Sequence, residues 1–299
     1  MFCIAFERRN CRTTGSLVAD PRETTVVIPA FNEANGIVVT IQGLKPQGFA
    51  EILVIDDGST DQTAAQAEAA GARVVRHPYN KGNGAAVKTG IREAASRVIL
   101  LMDADTQHDP AEASKLIGPI GMYDMVIGAR SLRDQSLIRA TGNAVFRSLA
   151  SWLTGRPIPD LTSGYRAAKR QALLEVLHLL PNGFSYPTTS CLALMKSGQS
   201  VLFVPITVRG RVGASKIKPL QDGFRFILII FKIVTLYAPL RVFAPIAGTS
   251  FATGVAYGIW NVVKFDKIPM GSALLIQLGV VVFLFGLISE QIASMQDRR

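Results

Sequence analysis

Short apolar runs, each followed by a helix-like stretch, recur through the first half of this chain. Thr25–Pro29, Ile52–Ile55, Ala72–Arg76, Val98–Met102 and Met125–Gly128 have the length and content of strands. Helices are predicted over Ala34–Leu44, from Asp61 to Ala70 with Gly71 at the C-cap, and over Asn83–Ala95. Strands and helices alternating at this spacing predict an α/β fold, a mostly parallel sheet with helices on both faces.

The pattern then changes. Pro219 to Leu236 mixes Phe, Ile and Leu with Asp222, Arg225 and Lys232, as in an amphipathic helix lying in an interface. Val242–Val263 and Ile268–Ser289 carry no charged residue, and each would span roughly 33 Å as a helix, enough to cross a bilayer core. The expected organisation is an N-terminal extension (1–23), an α/β domain (24–218), a juxtamembrane segment (219–241), and a two-helix hairpin with a short tail (242–299).

The chain has 299 residues, is 48% hydrophobic and carries a net charge of +10. Such a charge suits nucleic acid or an anionic membrane surface, and its distribution favours the membrane. Arg209, Arg211, Lys216, Lys218, Arg225, Lys232 and Arg241 face only Asp222 just ahead of the apolar tail. No aromatic-interleaved basic motif or Cys/His finger accompanies them, so no nucleic-acid partner is expected. With Arg298 and Arg299 after the second span, this predicts that the α/β domain and both termini lie in the cytoplasm of a multi-pass cell-membrane protein. Cys3, Cys11 and Cys191 are too scattered for a disulfide framework. Residues 1–23 lack an apolar h-region, so no cleaved signal peptide is expected.

Two acidic clusters directly follow strand-like runs. Ile55 leads into Asp56-Asp57-Gly58-Ser59-Thr60-Asp61, and Met102 into Asp103-Ala104-Asp105 with Gln107 beyond. Carboxylates at the carboxyl ends of buried strands sit where open α/β sheets bind ligands. Clustered carboxylates repel one another without a counter-charge, and their hard oxygens suit Mg²⁺ or Mn²⁺ bridging to a diphosphate. Thr60 or Asp61 is expected to cap the next helix, and Asp109 is a capping candidate before Pro110. Asp57 is expected to be free for a ribose or base, beside Pro29-Ala30-Phe31-Asn32-Glu33. Asn80-Lys81-Gly82-Asn83-Gly84 opens a helix but fits neither a dinucleotide fingerprint nor a Walker A sequence. A loop closing over a nucleotide is the reading it supports.

Together these segments resemble the family-2 glycosyltransferases of GT-A fold, and within them the polyprenyl-phosphate glycosyltransferases related to dolichol-phosphate mannose synthase. The resemblance rests also on Ile127-Gly128-Ala129-Arg130, Asp160-Leu161-Thr162-Ser163-Gly164-Tyr165-Arg166 and Arg211-Val212-Gly213-Ala214-Ser215-Lys216. It implies a nucleoside pocket of Pro29, Phe31, Glu33, Ile55 and Asp57. It puts Asp103, Ala104, Asp105 and Gln107 at the sugar diphosphate. Asp103, Asp105 and Gln107 form the Mg²⁺ or Mn²⁺ set, Asp105 and Gln107 being direct ligands. Arg211 and Lys216 would close over the diphosphate, and Arg130, Arg139 and Ser163 would meet a lipid phosphate. Asp105, Arg130, Arg211 and Lys216 are thereby the catalytic candidates.

The implied reaction is inverting transfer of a hexose from a nucleotide-diphosphate sugar, of the GDP-mannose or UDP-glucose type, to a polyprenyl phosphate. Alternatives are an N-acetylhexosamine or aminoarabinose donor, or a non-catalytic membrane scaffold. Trp152 and Trp260 lack the Gln-x-x-Arg-Trp context of processive synthases, which favours a single transfer. A flippase, a downstream glycosyltransferase and a second copy of the chain are the further candidate partners.

Overall fold

The computed structural model describes residues 19–130, 148, 151–152, 155–183, 185–208 and 238–296. The expected helix over 219–236 therefore lies outside the described residues, as do Arg139, Arg211 and Lys216. Seven strands form one mixed sheet: β1 (Thr24–Ala30), β2 (Glu51–Asp56), β3 (Arg73–Arg76), β4 (Val98–Leu101), β5 (Met125–Arg130), β6 (Arg166–Lys169) and β7 (Val201–Ile206). Their order is β3-β2-β1-β4-β6-β5-β7, and β6 alone runs against its neighbours.

The strands read as near-continuous apolar runs because both sheet faces are covered. Successive side chains enter opposite cores, as the period of two requires. Val27, Leu53, Ile55, Ile99 and Leu101 join one core, while Val26, Ile28, Val54, Val98 and Leu100 join the other. The first core is closed by α3 (Asn83–Glu93), α5 (Arg170–Glu175) and α6 (Tyr186–Lys196). The second is closed by α1 (Ala34–Leu44), α2 (Thr63–Ala69) and α4 (Ala113–Ile117). Each fully buried Leu or Ile contributes about 1.5–3 kcal/mol, so these two layers carry most of the domain's stability.

α2 begins two residues later than expected. Asp61 stands outside it, one residue before the N-cap Gln62, and its Oδ1 accepts from the Thr63 amide at 3.0 Å. Gly71 ends the helix at φ +89°, a conformation that glycine adopts without steric cost.

The register aligns the chain's chemistry. Ala30 pairs with Asp56, and Met102 N donates to Val27 O at 3.2 Å. The loops after β1, β2 and β4 therefore emerge together. Because β6 is antiparallel to β4, with Arg166 opposite Leu101, the segment entering β6 arrives at the same edge. The parallel pair β5 and β7 ends there too.

Two 27-residue helices follow, α7 (Pro239–Phe265) and α8 (Met270–Gln296), each long and apolar enough to cross a membrane. They extend past the expected limits at 242–263 and 268–289. Only 17% of each apolar window is buried, unlike the core helix of a soluble protein. Small residues bring them close: a Cβ on Gly279 would meet Ala247 O at 2.8 Å, and one on Gly258 would meet Ser272 Oγ at 2.6 Å. At the hairpin's base Glu290 Oε2 accepts from Leu240 N at 3.2 Å, capping α7. Arg241 Nη1 donates to Trp152 O at 3.2 Å, and Ala238 and Val242 pack on the first core. The hairpin is thus fastened to the catalytic domain.

Candidate active site

Loops after β1 and β2 interlock through side-chain oxygens that accept backbone amides. Ser59 Oγ accepts from Asn32 N at 3.0 Å, Asn32 Oδ1 from Thr60 N at 2.9 Å, and Thr63 Oγ1 from Glu33 N at 2.9 Å. Asn32 sits at φ +54°, a turn that leaves Phe31 41% exposed beside it. Phe31 is thus an aromatic face open at the edge, Glu33 stands partly exposed next to it, and Pro29 is buried within β1.

Two expectations for this pocket, and one for the turn after β4, need correction. Ile55 is fully buried in the core, because alternation along β2 turns it to the same side as Leu53, so its side chain lines no pocket. Ala104 is likewise buried, with its carbonyl against α1, where a Cβ on Gly36 would meet it at 2.5 Å. Asp57 is not free. Its carboxylate accepts from Lys81 N at 2.9 Å and Gly82 N at 2.8 Å, and its Oδ1 lies 2.7 Å from His77 Nδ1. The role of Asp57 is to fold the Asn80–Gly82 loop back over Gly58, which sits at φ +75° under the Tyr79 backbone. His77, itself buried, continues through Nε2 to Thr89 Oγ1 on α3 at 2.9 Å. The amino end of α3 is covered by the 181–183 chain: Ala85 N donates to Asn182 O at 3.0 Å, and Gly84 is small because Pro181 O and Gly183 O lie on it.

The loop after β4 places its carboxylates differently. Asp103 is about a third exposed, with its Oδ2 3.6 Å from His108 Nε2. Gly164 lies flat against its carboxylate, where any Cβ would collide. Burial raises the Asp103 pKa, but the hydrogen bond and charge of His108, with Arg166 and Arg130 behind, outweigh it and hold the carboxyl below its ordinary value. Asp105 Oδ1 accepts from Gln107 N at 3.2 Å across Thr106, which takes φ +59°. Asp109 Oδ1 accepts from Ala111 N at 3.1 Å, so Asp109 is a cap.

Asp103, Asp105 and Gln107 are all partly exposed on one turn, and their oxygens fit the hard-donor chemistry of Mg²⁺ or Mn²⁺. Among the described residues no group of three His, Cys, Asp or Glu gathers to cage an ion.

Opposite stand two arginines. Arg130 Nε donates to Asp160 Oδ2 at 2.7 Å, and its Nη2 to Asp160 Oδ1 at 3.0 Å and Thr162 Oγ1 at 2.6 Å. Among the guanidinium nitrogens of Arg130, Nη1 is thus the one left for the expected phosphate. Ser163 is fully buried, and its Oγ has no hydrogen-bond partner among the described residues. Arg166, also fully buried, donates through Nε and Nη2 to Ser163 O, and through Nη1 to Pro187 O at 2.7 Å and Ser190 Oγ at 2.9 Å. Burial lowers its pKa, against the opposing influence of Tyr186, Cys191, Asp160 and Asp103. His77 and His108 are residues beside the site that sequence reasoning passed over, and Asp160 and Arg166 were quoted there as part of a motif but given no role. The available signal was position: each histidine follows a strand-end carboxylate or closes a strand, and Asp160 and Arg166 bracket the Thr-Ser-Gly turn.

Comparison with known proteins agrees with this fold. The sequence matches the glycosyl transferase family 2 profile over residues 25–177 and the GtrB C-terminal hairpin over residues 238–295. It is similar to glycosyltransferase AglJ of Haloferax volcanii, 31% identical across 92% of this chain and 95% of that protein. Polyprenol monophosphomannose synthase of Mycolicibacterium smegmatis is 31% identical across 67% of this chain and 82% of its own. Glucosyl-3-phosphoglycerate synthase from Mycobacterium tuberculosis, solved with Mn²⁺, UDP and glucosyl-3-phosphoglycerate, shares the fold with a TM-score of 0.59. That likeness covers 77% of this chain and 85% of the other at 22% identity. The chain belongs to glycosyl transferase family 2, with a GT-A-like α/β domain followed by a GtrB-type C-terminal hairpin.

Proposed function

We propose that this protein moves a hexose from a nucleotide-diphosphate sugar, of the GDP-mannose or UDP-glucose type, to a membrane polyprenyl phosphate, inverting the anomeric centre. One observation carries the reading. A single sheet edge sets the Asp103–Gln107 turn against the Arg130–Asp160–Ser163 cluster, and two membrane-length helices are fastened beside it. The similarity to polyprenol monophosphomannose synthase supports the choice of acceptor.

On the donor side Phe31 and Glu33 face the nucleoside, and the Asp57-held loop closes over it. Asp103, Asp105 and Gln107 would hold Mg²⁺ or Mn²⁺, which supplies positive charge against the leaving diphosphate. Arg211 and Lys216, which lie outside the described residues, would add positive charge against that diphosphate. On the acceptor side Arg130 Nη1 and Arg139 receive the lipid phosphate, while Ser163, fully buried, supports the turn from behind.

A phosphate monoester is largely dianionic at neutral pH, its second pKa being about 6, so its oxygen attacks without a strong base. The protein's task is alignment of that oxygen with the sugar C1 and neutralisation of the departing charge. The hairpin keeps the isoprenoid head group near the edge, with both termini on the cytoplasmic side and the connector around Asp266 on the other.

The test uses full-length protein in detergent, with labelled GDP- and UDP-sugars offered against undecaprenyl and dolichyl phosphates. Label should enter the lipid from one nucleotide class. Transfer to a soluble glycan, with none to any polyprenyl phosphate, would overturn the acceptor assignment.

A further inference from the structure

Asp160 has no role in the reaction as described, yet its carboxylate accepts five hydrogen bonds. It is 4% exposed and accepts from Arg130 N at 3.2 Å, Arg130 Nε at 2.7 Å, Arg130 Nη2 at 3.0 Å, Thr162 N at 3.0 Å and Thr162 Oγ1 at 3.2 Å. A carboxylate offers about four lone-pair sites, so these donors leave none for taking a proton from a substrate. Burial raises its pKa, but the hydrogen bonds and charge of Arg130, with the Thr162 amide, outweigh that and keep it ionised.

Thr162 closes the ring, since its Oγ1 accepts from Arg130 Nη2 at 2.6 Å while donating to Asp160. Two of the three guanidinium nitrogens are thereby fixed, and the two-pronged pair holds the planar group in one orientation. The next residue is Ser163, whose carbonyl is gripped by the buried Arg166 and whose hydroxyl has no partner among the described residues. The turn from Asp160 to Ser163 is therefore pinned at both ends by arginines from adjacent strands.

We infer that Asp160 is a positioning residue for the acceptor: it fixes Arg130 with Nη1 presented to the phosphate, and so sets how tightly the lipid phosphate is held. This rests on the polyprenyl-phosphate reading. A pre-oriented guanidinium loses little freedom on binding its anion, whereas one released from Asp160 must be ordered by the substrate itself.

The experiment compares full-length parent, Asp160→Asn, Arg130→Lys and the double variant in detergent. Initial rates are followed against undecaprenyl phosphate, with UDP and GDP affinities measured by calorimetry. Asp160→Asn should raise the KM for undecaprenyl phosphate about tenfold, as expected for losing a charged hydrogen-bond pair, and leave kcat and nucleotide affinity within about twofold. The double variant should be no worse than Arg130→Lys alone, because both act through one guanidinium. Thr162→Val, a smaller change to the same ring, should shift KM in the same direction if Asp160→Asn fails to fold.

A fall in kcat at unchanged KM, additive losses in the double variant, or weakened nucleotide binding would overturn the inference. If Asp160→Asn does not fold, an unchanged KM in Thr162→Val would overturn it as well. If the parent itself uses no polyprenyl phosphate, the acceptor reading falls and this inference with it. If the parent does use one and Asp160→Asn behaves as the parent, only the inference fails.

Discussion

On the β1–β2–β4 side of the edge, polar side chains accept backbone amides from neighbouring loops. On the β5–β6 side they bind one another as full charges. Ser59, Asn32, Thr63 and Asp57 each take an amide from another loop, which shapes a pocket wall while leaving little unpaired charge. Arg130 and Asp160 instead form a two-pronged ion pair, and Arg166 lies buried on carbonyls and a hydroxyl. The first arrangement suits a nucleoside, recognised by shape and a few hydrogen bonds. The second suits a phosphate, recognised by charge held at a fixed place. Between them Asp103 touches both halves: Gly164 lies against it, and His108 stands behind it.

The largest expected effect falls at this junction. Asp105→Ala should lower transfer at least about 100-fold, since it removes an oxygen donor from a partial set without opening an apolar cavity. The variant should still fold and insert, as circular dichroism and membrane fractionation would show. Full activity in that variant, or undiminished activity in EDTA, would contradict a metal-assisted donor half.

Arg130→Ala separates the two halves. It should raise the KM for undecaprenyl phosphate roughly 10- to 100-fold, while nucleotide affinity by calorimetry stays within about twofold. Lost nucleotide affinity with unchanged acceptor dependence would move Arg130 to the donor half.

Asp57→Asn probes the pocket wall. The new NH₂ would face the Lys81 and Gly82 amides or His77, leaving buried donors unmatched, at a cost of about 1–3 kcal/mol. Chemical denaturation of the solubilised protein checks this. No change in stability would mean that the 80–82 loop is held some other way.

The smallest effect is on pH dependence. Asp160 is held below its ordinary carboxylate value, so its contribution is complete above about 3.9, where folded and unfolded chains are both ionised. It is lost as pH falls through that value and then through the lower folded one. The melting difference between parent and Asp160→Asn should therefore be constant from pH 7 to 5 and shrink below about pH 4. A difference that grows on acidification would have the wrong sign.

Much of the donor half was legible because it is written locally. A strand buried on both faces is an unbroken apolar run, and Asp56, Asp57, Asp103 and Asp105 mark where such runs end. Period-two alternation also carries the information that Ile55 faces the core beside Leu53, which a list of motif positions overlooks. What stayed illegible depends on distant returns of the chain. Nothing near Asp57 announces that the amides of Lys81 and Gly82 will satisfy it. The partner of Arg130 lies 30 residues away on a segment brought back by the antiparallel β6. The burial of Arg166 follows from α6 covering that strand, which no local pattern contains.

The central claim is that the two halves meet in one direct displacement on a lipid phosphate. The measurement that tests it most directly is ¹H and ³¹P NMR of the lipid made by the purified full-length protein from an α-linked nucleotide sugar and undecaprenyl phosphate. The account predicts a phosphodiester with the sugar in the β configuration. An α-linked product, or a sugar attached elsewhere than to the phosphate, would contradict it.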